Sequence, residues 1–207
     1  MKIATIGAKT VIRNPNHPKK NSTIRVEPIR EIRNIKSIKT MLAKNPRNLC
    51  FFVLGVNTNL RASDLLRLTA GQVRHCNAGD EITLKEKKTG KDRRITLNKS
   101  AVSAIKELLA SAPLPDSSPL FLSQRGEVLT VPSVNRLVKS WCKAVNLKGN
   151  FGSHTLRKTF GYHQRTQLNT SIPELMVMFN HSSQRQTLDY LCIQPDEIRD
   201  AYMKLEL

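Results

Sequence analysis

The spacing of apolar residues leaves this chain few folds to choose from, because it keeps a helical period almost throughout and breaks into strict alternation only once. From Ile32, apolar positions at Ile35, Ile38, Met41 and Leu42 follow one helix face, and the pattern resumes after Pro46 through Leu49, Phe52, Val53 and Val56. Between about Glu81 and Leu97 it changes to alternation, EITLKEKK and RRITL around Thr89-Gly90-Lys91-Asp92, which predicts a β-hairpin. Helical spacing returns over 101–109, 134–145, 154–164, 173–179, 184–192 and 196–205, with the stretch Pro113 to Pro119 as a surface connector. The predicted class is α+β: mainly α, with one small antiparallel β-sheet inserted early. No internal repeat or low-complexity tract competes with that reading.

Charge narrows the partner. Lys and Arg number 34 against 16 Asp and Glu, a formal charge of +18. That is far beyond what keeping a protein in solution requires, and it predicts a polyanion, double-stranded DNA first of all, held by counterion release. The longest apolar run, Leu49 to Val56, falls well short of the roughly 20 residues of a spanning helix, so no membrane is expected. No signal peptide pattern opens the chain. Cys50, Cys76, Cys142 and Cys192 are widely spaced, with no CxxC pair or Cys/His cluster. Neither a disulfide framework nor a zinc site is indicated, and a reducing cytoplasmic setting, at the nucleoid, fits best. The first 40 residues carry ten Lys or Arg and two acids, with Pro15, Pro18 and Pro28 among them. Residues 1–31 therefore read as an extended basic arm, or a disordered leader, ahead of a globular domain over 32–207.

Six residues have side chains suited to breaking a phosphodiester without a metal: Arg61, Lys88, His154, Arg157, His181 and Tyr190. That reaction needs a nucleophile, a base for its proton, an acid for the departing 5′ oxygen, and positive charge around the non-bridging oxygens. Arginine suits the last task, since its planar fork offers paired donors and keeps its charge. A free tyrosine has a pKa near 10, so Tyr190 needs a base, and a histidine such as His154, ordinarily near 6.5, is matched to neutral pH. His154 and Arg157 lie three apart, on one face of a helix expected to be capped by Ser153. Ser63 is expected to cap a helix starting at Asp64 and so to set Arg61 beside a helix N-terminus, with Leu65, Leu66 and Leu68 turned inward. Ser183 and Gln186 form a capping-box pattern ahead of Tyr190. Each residue alone has an ordinary explanation: a solvated arginine, a helical ion-pair face, a buried tyrosine.

The segments GVNTNLRASDLLRL, KKTGKDRRITL, SHTLRKTF and FNHSSQRQTLDYL, in this order and spacing, resemble the tyrosine recombinases, the phage integrase family. The resemblance implies a nucleophile at Tyr190, with His181 in the asparagine-histidine-serine block nine residues before it, and an arginine clamp at Arg61 and Arg157. It also implies a general acid on the hairpin. Strand parity places Glu86 and Lys88 on the side of Ile82 and Leu84, so Lys88 is the chosen acid. A purely electrostatic grip on backbone phosphates, shared with Lys85, Lys87, Lys91, Arg93 and Arg94, is the other reading of that residue. The chain departs from the family where Asn59 and Asn180 stand at usual glycine positions. Asparagine is one of the few residues that accept a left-handed backbone.

The resemblance covers about residues 32 to 207, the extent of the family's catalytic domain, without a full core-binding domain ahead of it. The expected function is site-specific recombination through a 3′-phosphotyrosine link, which conserves bond energy and calls for neither ATP nor metal. Two alternatives stay open on sequence: a DNA-binding regulator with a vestigial site, and topoisomerase IB-like cleavage and religation. Ile198, Ala201, Tyr202 and Leu205 form an apolar stripe on a terminal helix. In recombinases that segment often docks on a neighbouring protomer, so self-association on DNA is expected.

Overall fold

Cys50, Phe51, Phe52, Val53, Leu54 and Gly55 follow one another without a polar break, so a helix through them has no face to give to solvent and must sit inside. The computed structural model, which describes residues 26–111, 113–191, 193, 198–199 and 202–206, places it there. Along the chain run α1 (Ile32–Leu42), α2 (Pro46–Asn57), α3 (Ala62–Leu65), α4 (Ala70–Val73), β1 (Glu81–Lys85), β2 (Asp92–Thr96), α5 (Lys99–Ser111), α6 (Val131–Ala144), α7 (Thr155–Leu168), α8 (Ile172–Phe179) and α9 (Gln184–Leu191). All six of those α2 residues are buried, and the helix packs against α1, α5 and α7.

The helical period and the hairpin emerge where the apolar spacing puts them. β1 and β2 pair antiparallel, with Ile82 opposite Ile95 and Lys85 opposite Asp92. Helix starts differ in detail. α3 begins at Ala62 with Arg61 itself as N-cap, so Ser63 lies inside the helix and does not cap it. Leu65, Leu66 and Leu68 are nonetheless all buried. α7 begins after His154, whose side chain makes no capping bond, so the expected Ser153 cap is absent as well. Here Thr155 Oγ1 accepts from the Gly152 N–H at 3.0 Å, so the turn is held from one residue inside the helix. At α9, Ser183 does accept from the Gln186 N–H at 3.4 Å, while Gln186 reaches back to Ser182 rather than Ser183.

The expected arm over 1–31 falls, for residues 1–25, outside the described residues. Its last part is packed: Ile29 is fully buried, its N–H donates to Thr159 Oγ1 at 2.9 Å, and His163 Nε2 meets its carbonyl at 3.0 Å. Ile29 therefore lies on α7, and Glu27 is held on the loop before it, its N–H donating to the Asn150 carbonyl at 2.8 Å, so this stretch does not stand off the domain. Part of the expected terminal helix over 196–205, residues 196–197 and 200–201, also lies outside the described residues, and 198–199 and 202–203 are helical.

Two close approaches fix α7. A methyl group at Gly55 would overlap Leu156, and one at Gly161 would overlap the Phe179 ring, so these glycines let α7 press against α2 on one side and α8 on the other. Leu175, Phe179 and Leu191 form a small core of their own beneath α8 and α9, separate from the main cluster around α2. At roughly 2 kcal/mol per buried large apolar side chain, three such groups hold far less firmly than the main core does. Polar latches supplement them. Asn59 Nδ2 donates to the Met178 carbonyl at 2.8 Å, Arg93 donates to the same oxygen, and Arg157 Nη2 donates to the Phe179 carbonyl at 2.6 Å. All three meet the negative end of α8, where cationic and amide donors are favoured.

Candidate active site

Those latches bring four of the six candidate residues into contact. Tyr190, on α9, points its hydroxyl at His154 Nδ1, 3.2 Å away, with the rings edge to face. The Arg157 guanidinium carbon lies 5.6 Å from the centre of the Tyr190 ring and 5.1 Å from that of Phe179. His181 stacks on Phe179 at 5.0 Å and stands 5.5 Å from the Tyr190 ring, edge on. Asn180 ends α8 in the left-handed conformation, φ 54°, and Asn59 adopts φ 55°. Both thus supply the backbone a glycine would, and Asn59 adds its amide to the latch on Met178.

Arg61 sits across from this group, paired with Glu86 at 2.7 Å and more distantly with Asp64 at 3.9 Å. Its charge reaches both histidines, and the Lys88 ammonium reaches His154. Lys88 is not on the strand. β1 ends at Lys85, the chain turns through 87–89, and Lys88 is exposed in that turn, so parity holds for buried Glu86 but not for Lys88. The extended backbone that parity requires has stopped two residues earlier.

Burial sets the electrostatics. Arg157 is 1% exposed, and desolvation pushes its guanidinium down to about 10, still charged at neutral pH. Its Nε and Nη1 are buried without a hydrogen-bond partner among the described residues. Buried donors of that kind call for an acceptor, and a phosphate would supply two oxygens. His154 is pulled below its ordinary value by desolvation, then by Arg157, Arg61, Lys158 and Lys88. It is therefore neutral at pH 7 and able to accept a proton. His181 is pushed down to about 4 by burial and then by Arg157, Arg61 and Arg93. Its Nδ1 lies 3.0 Å from the buried Thr187 hydroxyl, which fixes the ring and leaves Nε2 as its other polar atom.

The depressed His181 makes the DNA-free fold acid-sensitive. The unfolded imidazole takes up a proton near pH 6.5 and the folded one only near 4. Stability is thus fully present above 6.5 and is lost as pH falls toward 4, since protons there favour the unfolded chain. Urea unfolding at pH 7, 5.5 and 4.5 should show that decline, and His181→Asn should flatten it. An unchanged slope in the variant would assign the decline to other groups.

Several participants carry no sequence signal of their own. Glu86 and Asp64 are each 1% exposed, and Arg93 is 7% exposed and bonds Glu86 at 3.0 Å. Lys158 is buried beside Arg157, with its ammonium 5.2 Å from the Tyr190 ring centre. Position in HTLRK makes Lys158 a neighbour in sequence only; facing Tyr190 is a matter of how α7 meets α9.

The sequence profile of the phage integrase family matches residues 22–197. The probable integrase/recombinase YoeC of Bacillus subtilis is 36% identical over 181 residues, spanning 86% of this chain and 95% of that protein. Tyrosine recombinase XerC of Caldanaerobacter subterraneus is 30% identical over 162 residues, 76% of this chain, and this chain spans 44% of its length. Among solved structures the fold is similar to XerA recombinase, with a TM-score of 0.70 at 19% identity over 91% of this chain and 66% of that one. It is also similar to a lambda integrase dimer bound to a core site, with a TM-score of 0.61 at 20% identity over 83% and 61%. Among the described residues no helix is long and apolar enough to cross a membrane. With the match covering most of its length, this chain belongs to the phage integrase family, the tyrosine recombinases, enzymes that cut and rejoin DNA strands.

Proposed function

We propose that this enzyme recombines DNA at specific sites with Tyr190 as its nucleophile. The observation that carries the assignment is the 3.2 Å approach of the Tyr190 hydroxyl to His154 Nδ1, beside the buried Arg157. In the forward step His154 takes the phenolic proton, the Tyr190 oxygen bonds to phosphorus, and the bond to the 5′ oxygen breaks. Lys88 gives that oxygen a proton. Arg61, Arg157 and His181 neutralise charge on the non-bridging oxygens as it accumulates. Joining runs the same transfers backwards with a different 5′ hydroxyl. Double-stranded DNA is the partner, and the catalytic domain takes in the packed end of the arm around Ile29 together with residues 32–207, with the basic segment before it along the backbone.

Self-association through the C-terminal segment belongs to the same reading. Ile198, Tyr202 and Leu205 are exposed, and the stretch from Asp196 to Glu206 holds four acids against Arg199 and Lys204 in an otherwise basic chain. A groove of about 740 Å³, with Arg93, Arg94, Phe160, Val177 and Met178 in its lining, offers the complementary charge and apolar surface on another copy. A supercoiled plasmid with two copies of a site selected from random DNA tests both parts. Wild type should exchange strands between the sites, while Tyr202→Asp should cleave single sites and exchange none. Relaxation of any plasmid without exchange would select topoisomerase-like action, and binding without cleavage would select a vestigial site.

A further inference from the structure

Among the described residues Glu86 is the most heavily engaged buried acid, and the chemistry above gives it no task. It is 1% exposed at the end of β1. One carboxylate oxygen meets Arg61 at 2.7 Å and accepts from the Thr89 hydroxyl at 2.7 Å; the other meets Arg93 at 3.0 Å. Burial works to raise its pKa, but the Thr89 hydrogen bond, the hydrogen bond and charge of Arg61 and the Arg93 hydrogen bond prevail and hold it down to about 2. A fully ionised carboxylate here therefore binds three elements at once: the Arg61 turn, β2 through Arg93, and the turn 87–89 through Thr89.

That turn carries Lys88. A second acid grips the same turn, since Asp64 accepts from the Lys87 N–H at 2.9 Å, and Asp64 lies one helical turn from Arg61. The exposed Lys88 is thus flanked by two anchored neighbours, Lys87 at its backbone and Thr89 at its side chain. A long, mobile lysine side chain delivers a proton efficiently only if its stem starts from a fixed place.

We infer that Glu86 is a positioning residue that couples the phosphate-clamping Arg61 to the proton-donating Lys88, so that the general acid is seated only where the clamp is seated. The inference rests on the reading of Lys88 as general acid, and the two fail differently. An ordinary phosphodiester needs its 5′ oxygen protonated; replacing that bridging oxygen with sulfur gives a leaving thiolate that needs no proton. Variants that impair only proton delivery recover on the sulfur substrate, and variants that impair the clamp, the nucleophile or the fold do not.

The measurement is single-turnover cleavage of a selected site in both forms by full-length wild type, Lys88→Ala, Glu86→Gln and Thr89→Val. Glu86→Gln keeps the shape and removes the charge. Thr89→Val removes one link at an exposed turn, where loss of fold is not at issue. On the oxygen substrate, Lys88→Ala should slow cleavage on the order of 100-fold or more, and Glu86→Gln and Thr89→Val about tenfold or more, with DNA affinity unchanged. With sulfur, Lys88→Ala and Thr89→Val should return to near wild-type rates, and Glu86→Gln should recover most of its loss, keeping only the part that comes from its contact with Arg61. Recovery of Lys88→Ala without recovery of Glu86→Gln and Thr89→Val would overturn the coupling and leave the acid in place. Failure of Lys88→Ala itself to recover would overturn the acid, and the coupling with it.

Discussion

Tyr190→Phe is expected to form no covalent adduct with DNA, and strand exchange to fall by on the order of 10⁴ or more, as when an enzyme loses its nucleophile. The substitution removes one oxygen from a half-buried ring. It keeps the aromatic contacts with Phe179 at 5.0 Å and His181 at 5.5 Å. The small core under α8 and α9 is therefore preserved, and so is the folded state. What disappears is the atom 3.2 Å from His154. A nicked suicide duplex is the appropriate substrate, because the cut strand cannot be rejoined and the adduct accumulates. Wild type should migrate as a protein–DNA conjugate under denaturing conditions and the variant as free protein, with equal gel shifts. An adduct that survives in Tyr190→Phe would move the nucleophile elsewhere, and Tyr162 and Tyr202 are the other tyrosines in the chain.

Arg157→Lys is expected to slow cleavage by about 10² to 10³, the effect of losing one preorganised donor to an oxyanion, roughly 3 to 4 kcal/mol. Lysine keeps the charge but not the fork. Arg157 spends Nη2 on the Phe179 carbonyl and has Nε and Nη1 left over as buried donors on a rigid plane. One ammonium cannot hold α8 and a phosphate together. Since the Phe179 carbonyl also anchors the unit that carries His181 and Tyr190, the variant needs two readings: a thermal unfolding curve and the single-turnover cleavage rate. Slowing with an intact transition assigns the effect to phosphate. A cleavage rate within tenfold of wild type would remove Arg157 from the clamp.

Depressed histidines serve this chemistry in opposite ways. Neutral His154 is ready to accept a proton, and in the proposed step its position among Arg157, Arg61, Lys158 and Lys88 would let a proton taken from Tyr190 be held weakly and passed back in joining. For His181 the same positive surroundings are a cost in the free protein, which a bound phosphate offsets by supplying negative charge beside the ring.

Sequence reading recovered what depends on local spacing. The helical period through Phe52 and Val53 marks α2, and alternation through Ile82 and Ile95 marks the hairpin. The left-handed tolerance of asparagine anticipates Asn59 and Asn180. Capping is less legible in sequence: Ser63 and Ser153 have the right chemistry beside the right helices. The starts were displaced by a residue or two, because Arg61 and His154 occupy the cap positions where the chain enters. Parity failed at Lys88 for a related reason. Counting by twos is valid only while the backbone stays extended, and β1 gives way at Glu86, whose burial against Arg61 and Arg93 ends the strand and starts the turn.

By itself, then, the sequence determined the succession of helices and hairpin and the strongly cationic character, since each follows from neighbours a few positions away, and its motifs nominated the nucleophile, base and arginine pair proposed above. Only the tertiary structure decided how they are served. The placement of Glu86 between two arginines, the contact of Lys158 with the Tyr190 ring, and the hold of Asn59, Arg93 and Arg157 on the end of α8 join residues from 7 to 119 positions apart. Whether a charge is worth burying is set by the balance of desolvation against partners gathered from the whole fold, and no local pattern contains that balance.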